Sequence, residues 1–168
     1  MGVSGSGKTT VGRELARLLG VPFVDADDLH PQANRDKMAG GTPLTDDDRA
    51  PWLSTVGHVI GEQLAAGRGV VVACSALRRR YRDAITSAAG APVRFAHLNG
   101  QADLIRTRMD ARAGHFMPPA LLDSQLETLE PLAADENGSA FSIDADPARV
   151  AARIRDWATA DNREEAVV

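Results

Sequence analysis

Cysteine, lysine and aromatic residues are all scarce in this chain. Cys74 is its single cysteine, so no disulfide can form within the chain and none is needed for a fold of this size. That usage fits a reducing compartment, and the cytoplasm is the expected location. Only Lys8 and Lys37 are lysines among 19 basic residues, and the net charge is −4. A broad basic footprint for nucleic acid is therefore not expected. No apolar run approaches the ~20 residues of a membrane span, and no signal peptide is expected. What remains is 43% hydrophobic and 25% charged, the composition of a globular domain. There is no internal repeat or low-complexity run. The expectation is one domain over residues 1–161, with a polar, disordered tail over 162–168.

Hydrophobic spacing alternates helical and extended segments along the chain. Val11, Leu15, Leu18 and Leu19 predict a helix over 8–19 that ends at Gly20. Pro22 to Asp25, Val70 to Cys74, Val93 to Leu98 and Ala140 to Ile143 read as short buried strands. Between them lie predicted helices from His30 to Ala39, from Thr45 to Gly67, from Arg79 to Ala89, over about 102–112, around Leu122–Leu129, and from Pro147 onward. Thr45 with Asp48 predicts a capping box. Strands alternating with helices imply a parallel sheet covered on both faces, with ligands at the carboxyl ends of the strands.

Gly2-Val-Ser-Gly-Ser-Gly-Lys8-Thr9 matches G-x-x-x-x-G-K-[ST]. Its glycines let the backbone curl until several N–H groups point at a polyphosphate, and the following helix adds its N-terminal dipole. Gly2, Ser4, Gly5, Ser6, Gly7, Lys8, Thr9 and Thr10 are thus expected to bind ATP. Lys8 is the phosphate lysine, and the Thr9 hydroxyl is a ligand for Mg²⁺. The fold expected is that of a P-loop kinase: a three-layer α/β/α sandwich with a parallel sheet and a helical lid. Such a loop ordinarily follows a buried strand, yet only Met1 precedes it here. The first strand is therefore expected to be truncated. A version extended upstream by ~8–12 residues is expected to be more stable, since a missing strand leaves its neighbours' edges bare.

Asp25, Asp27 and Asp28 close the next strand. Asp25 and Asp27 are two residues apart and face one side in extended backbone. Asp25 is expected to hold the hydrated metal through water, and Asp27 to orient or deprotonate an acceptor hydroxyl. Asp28 reads as the cap of the following helix. His30 is a candidate for a polyhydroxylated substrate. Asp46, Asp47 and Asp48 suit a helix start. Arg49 in that same first turn is unfavourable for the helix and is read as ligand-facing. Arg78 and Arg82, four apart after the Val70–Cys74 strand, could grip a carboxylate, while Arg79 and Arg80 read as solvated. Cys74 reads as a small buried hydrophobe. Arg108 and Arg112, followed by Gly114 and Pro118-Pro119, suggest a lid over about 108–130. Arg108 would contact adenine and phosphate and Arg112 the γ-phosphate; the plainer alternative is a surface hairpin.

These segments together resemble the gluconate kinases. The resemblance is carried by Met1-Gly-Val-Ser-Gly-Ser-Gly-Lys8, Asp25-Ala-Asp27-Asp28-Leu-His30-Pro31, Asn34-Arg-Asp-Lys37-Met38, Pro43-Leu44 and Asp46-Asp-Asp-Arg49. Pro51-Trp52-Leu53, Cys74-Ser-Ala-Leu77, Tyr81-Arg82-Asp83, Arg108, Arg112, Gly114-His-Phe116 and Ser124-Gln125-Leu-Glu127-Thr-Leu129 extend it. It implies ATP-dependent phosphorylation of the 6-hydroxyl of D-gluconate, Mg²⁺ and a homodimer. It supports His30, Arg49, Arg78 and Arg82 on the substrate side. Two other readings stay open on the residues alone. One is another small-metabolite kinase of the shikimate kinase kind; the other is a nucleotide-binding module without catalysis.

Overall fold

The computed structural model describes residues 1–110, 119–160 and 166–167. The chain runs α1 (Lys8–Leu19), β1 (Phe23–Asp25), a 3-10 turn (Ala26–Leu29), α2 (Gln32–Ala39), α3 (Asp46–Ala65) and β2 (Val71–Ala73). It continues through α4 (Arg79–Ala89), β3 (Val93–Asn99), α5 (Ala102–Asp110), α6 (Pro119–Thr128), β4 (Gly138–Ser142), α7 (Pro147–Ala160) and β5 (Ala166–Val167). Every strand pairing is parallel: β1 with β2, and β3 with both β4 and β5. This is the alternating α/β architecture expected from the hydrophobic spacing. The predicted helix over about 102–112 is seen as far as Asp110; residues 111–118, 161–165 and 168 lie outside the described residues.

Residues 1–3 lie between the end of β2 and β3. Leu98 N donates to Met1 O at 2.9 Å, the Met1 nitrogen donates to Ala96 O, and Gly2 N donates to Ser75 O at 3.1 Å. Met1 and Val3 are buried there. The carboxyl ends of β1, β2 and β3 thereby converge on the loop that follows Gly2.

Alternation along the strands sends side chains into two cores. Val71, Ala96 and Leu98 join Val11, Leu15, Val150 and Ile154 on the face covered by α1 and α7. Val70, Val72, Cys74, Val93 and Phe95 join Trp52, Val56, Ile60, Tyr81 and Ile85 on the face covered by α3 and α4. A strand buried on both faces needs apolar residues at every position, which is why Val70–Cys74 shows no polar alternation. The helices α3 and α4 approach closely because α3 carries glycines at the contact. A Cβ on Gly57 would stand 2.5 Å from Ala88 Cβ, and one on Gly61 would stand 2.6 Å from Ala89 O. The α3 start is capped as its sequence predicts, with Thr45 and Asp48 exchanging side-chain and backbone bonds. None of the described helices is long and apolar enough to cross a membrane.

Candidate active site

The loop from Gly2 to Thr9 curls as its glycines permit. Gly2, Gly5 and Gly7 hold φ of 143°, 78° and 93°, values that L side chains rarely adopt. Gly7 forms the N-cap of α1 with no side-chain cap, so no side chain competes for the first-turn amides. Ser6 is 1% exposed and its Oγ has no hydrogen-bond partner among the described residues. A buried hydroxyl without a partner is costly, and this one lies within the glycine-rich loop itself. Lys8 Nζ donates to Val3 O at 2.9 Å. These features fit a polyphosphate: curled glycines, an uncapped helix start, an ammonium and one orphan hydroxyl.

The strand end β1 brings the acids to the same place. Thr9 Oγ1 donates to Asp25 Oδ2 at 3.0 Å, and Asp27 N donates to Asp25 Oδ1 at 3.2 Å. Asp25, rather than Asp28, therefore caps the turn that follows, and it does so while touching Thr9. A hydroxyl beside a carboxylate is the hard-oxygen donor set that suits a hydrated magnesium ion. Among the described residues no cluster of three or more His, Cys, Asp or Glu could hold a metal alone. Any ion at Thr9 and Asp25 would complete its shell with water and phosphate oxygens. Asp27 keeps access to solvent. Desolvation by the surrounding loop nonetheless raises its carboxyl above the ordinary range, Lys8 opposes the rise, and Asp25 and Asp28 reinforce it. The turn bearing Asp27 is held from α3 by Trp52, whose Nε1 donates to Ala26 O at 2.7 Å.

Beyond the acids lies a basic wall. His30 is buried and stacks on Trp52, with ring centroids 4.1 Å apart and planes within 15°. Burial first, then Arg49 and Arg35, lowers its pKa to about 4, so its ring is neutral at physiological pH. Asn34 Nδ2 stands 3.4 Å from His30 Nδ1 and donates to Asp48 O at 2.8 Å. Arg49 donates to Leu44 O, and its guanidinium lies 5.7 Å from the Tyr81 ring centroid. Arg78, at 5.9 Å from the same ring, is 3.7 Å from Asp46. Asp46 also receives Arg80 and the Tyr81 hydroxyl, which hold its carboxyl below the usual range, the hydroxyl contributing most. Arg80 is thus engaged rather than merely solvated. Arg79 stays at the surface and pairs with Asp135 through both terminal guanidinium nitrogens. Lys37, for which the sequence suggests no role, pairs with Asp48 at 2.6 Å.

Arg82 corrects the sequence reading. It is 1% exposed and its guanidinium is fully committed: to Glu136 at 2.8 Å, and to the carbonyls of Ala76, Leu77 and Glu130 at 3.2–3.3 Å. It ties residues 130–136 to the turn after β2 and presents nothing to a ligand. Four-residue spacing from Arg78 put it on one helix face; depth, which spacing does not encode, separates the two. Arg108 reaches the carboxyl end of β4, where its Nη2 donates to Ile143 O at 2.8 Å. Arg112 lies outside the described residues. Gln125, which accepts from Ser4 N in the phosphate loop, and Asp46 with Tyr81, beside Arg49 and Arg78, were not singled out for chemistry by the sequence. Gln125 falls within the Ser124–Leu129 segment, but nothing in its residue type marks it.

Comparison with known proteins agrees with this geometry. A family model described as an AAA domain matches residues 1–132. The chain is 44% identical over 168 residues to a probable gluconokinase of Xenopus tropicalis, spanning 92% of this chain and 88% of that protein. It is 49% identical over 136 residues to a gluconokinase of Gluconobacter oxydans, spanning 81% and 76%. The crystal structure of a gluconokinase from Sinorhizobium meliloti 1021 superposes with a TM-score of 0.77 at 43% identity, covering 97% of this chain and 95% of that one. With a phosphate loop, an acid pair at the neighbouring strand end and this degree of identity, the chain belongs to the gluconokinase family of P-loop kinases.

Proposed function

We propose that the protein transfers the γ-phosphoryl group of ATP to the 6-hydroxyl of D-gluconate, giving 6-phosphogluconate and ADP. The observation that carries this is the identity of 42–49% to gluconokinases over most of the chain. The loop amides from Gly5 to Thr10 and the Lys8 ammonium would cradle the phosphates. Asp27 is assigned the acceptor: its carboxylate takes the proton of the 6-hydroxyl as the new O–P bond forms and the bond to the ADP oxygen breaks. Its raised pKa supports that role, because a more basic carboxylate is a better proton acceptor near neutrality. Thr9, and Asp25 through water, would hold Mg²⁺, which when bound neutralises charge on the phosphates. Arg108 is assigned to adenine and phosphate and Arg112 to the γ-phosphate.

At the far end of the substrate, Arg49 and Arg78 are assigned to the gluconate carboxylate, and His30 to a hydroxyl between. Both guanidinium groups lie beside Tyr81, and the neutral His30 ring has no protein partner for Nε2 among the described residues. The same reading takes the assembly to be a homodimer in the cytoplasm, without a nucleic-acid or membrane partner. Light scattering on the purified protein tests the dimer. The activity is tested by ADP release against a panel of sugar acids, shikimate and nucleoside monophosphates. Turnover confined to D-gluconate is expected; turnover on shikimate or a nucleotide, or ATP binding with no turnover on any acid, would overturn the assignment.

A further inference from the structure

The peptide group between Val3 and Ser4 is held at both ends. Its oxygen accepts from Lys8 Nζ at 2.9 Å, and its N–H donates to Gln125 Oε1 at 2.6 Å, a contact across 121 residues from α6. A peptide is a rigid plane. Fixing its two poles fixes its rotation within a loop whose flanking glycines, Gly2 and Gly5, otherwise permit turning. The two bonds also polarise one another, since an ammonium on the oxygen makes the N–H a better donor. Immediately beside it, Gly5 is overlain by α5: a Cβ there would come within 2.5 Å of Met109 Cγ. The two helices are themselves joined by Arg106 and Asp123 at 2.7 Å.

We propose that Gln125 is a positioning residue for the phosphate loop. It anchors the Val3–Ser4 peptide, and through that peptide it sets where Lys8 stands before and during nucleotide binding. A neutral amide suits this task. It accepts from Ser4 N without bringing negative charge beside a polyphosphate, as a glutamate would. It follows that the Ser4 amide, read from the sequence as a phosphate donor, is engaged by the protein itself. Without Gln125 that N–H loses its partner, and the peptide is free to turn its oxygen away from Lys8.

This inference rests on the nucleotide-binding part of the reading above and is tested without any acceptor. ATP affinity is measured by titration for Gln125→Met, which keeps the shape but lacks the acceptor, and for Gln125→Asn, which falls one methylene short. Each is expected to raise the Kd for ATP about 3–10-fold, the worth of one hydrogen bond. The KM for gluconate is expected to stay at the parental value, which separates positioning of the nucleotide loop from a merely structural role. Asp123→Asn, which breaks the surface pair between the helices but leaves the loop contact, is expected to leave the ATP Kd unchanged. ATP Kd values within twofold of the parent for both Gln125 variants would overturn the proposal. So would a loss in Asp123→Asn equal to theirs, or a parallel rise in the KM for gluconate. Because binding is read without acceptor, failure of gluconate turnover in the parent protein would be seen separately.

Discussion

Thr9 Oγ1 and Asp25 Oδ2 stand 3.0 Å apart, joining the first turn of α1 to the last residue of β1. The bond spans the two elements that a metal-dependent phosphoryl transfer has to hold in register. Asp25 spends its other oxygen on the amide of Asp27, so one carboxylate orients both the Thr9 hydroxyl proposed for the metal and the turn carrying the proposed base. Asp25→Asn keeps the shape but halves the acceptor capacity and removes the charge. The expected outcome is a 10–100-fold rise in the Mg²⁺ concentration for half-maximal rate, or an equal fall in kcat. Rate measured against Mg²⁺ at saturating ATP and gluconate checks it. An unchanged Mg²⁺ dependence would remove Asp25 from the metal site.

Asp27 gives a second prediction, with a sign. Desolvation raises its pKa above the ordinary aspartate value, Lys8 notwithstanding. The proton-accepting form is present above that raised pKa and is lost as pH falls through it. The acid limb of the kcat profile is therefore expected at higher pH than an unperturbed aspartate would give. Asp27→Asn is expected to lower kcat by roughly 10²–10⁴ while ATP still binds. Turnover near the parental rate in that variant would show that the base lies elsewhere.

Much of this site is legible in the sequence because its chemistry is local. Residues 2–9 form a contiguous motif, Asp25 ends β1 with Asp27 two residues on in the 3-10 turn, and Thr45–Asp48 caps its own helix. Each depends on neighbours within a few residues. What spacing could not reveal is long-range. Glu136 meets Arg82 across 54 residues, Gln125 meets Ser4 across 121, and Tyr81 meets Asp46 across 35. None of these pairs shares a helix face or a strand, so no periodicity reports it. Ala76 is a further case: it holds a φ of +42° while fully buried in the turn after β2. Its conformation is imposed by tertiary contacts and contradicts its residue type.

His30 supplies a pH prediction of the opposite kind. Burial lowers its pKa to about 4, with Arg49 and Arg35 adding to the effect. The ring is therefore neutral throughout the range in which an exposed histidine titrates near 6.5. The KM for gluconate is expected to show no inflection between about pH 5.5 and 8 from this residue. An inflection near 6.5 that disappears in His30→Gln would mean that the ring is charged when substrate binds.

Arg49 separates substrate binding from stability. Its guanidinium is half-buried, anchored on Leu44 O and placed over Tyr81. Arg49→Ala is expected to raise the KM for gluconate about 10-fold or more, with a smaller change in kcat, as befits a group that binds the non-reacting end. The same variant is expected to leave the KM for ATP unchanged. Steady-state kinetics with each substrate varied in turn reads both, and an unchanged KM for gluconate would remove Arg49 from carboxylate recognition.

Arg82 is expected to behave as the reverse of Arg49. Its side chain is 1% exposed and that of its partner Glu136 is 6% exposed, so loss of either partner leaves a charge stranded in the interior. Arg82→Met is expected to destabilise by about 3–5 kcal/mol, read as a lower urea midpoint, with residual folded enzyme retaining its KM for gluconate. Replacing both partners, Arg82→Met with Glu136→Leu, is expected to recover much of that loss, because no uncompensated charge remains. The pair also sets part of the acid sensitivity. The hydrogen bonds from Arg82 hold the Glu136 carboxyl below the ordinary glutamate range. A carboxylate whose folded pKa is depressed contributes its full stability above the unfolded pKa and loses it as pH falls through the folded one. Stability is thus expected to fall as pH drops through and below the ordinary glutamate value, and the fall is expected to be shallower in the double variant. Urea midpoints measured from pH 7 down to pH 3 check both. Equal acid slopes in the parent and the double variant would show that the Arg82–Glu136 pair carries none of the pH dependence.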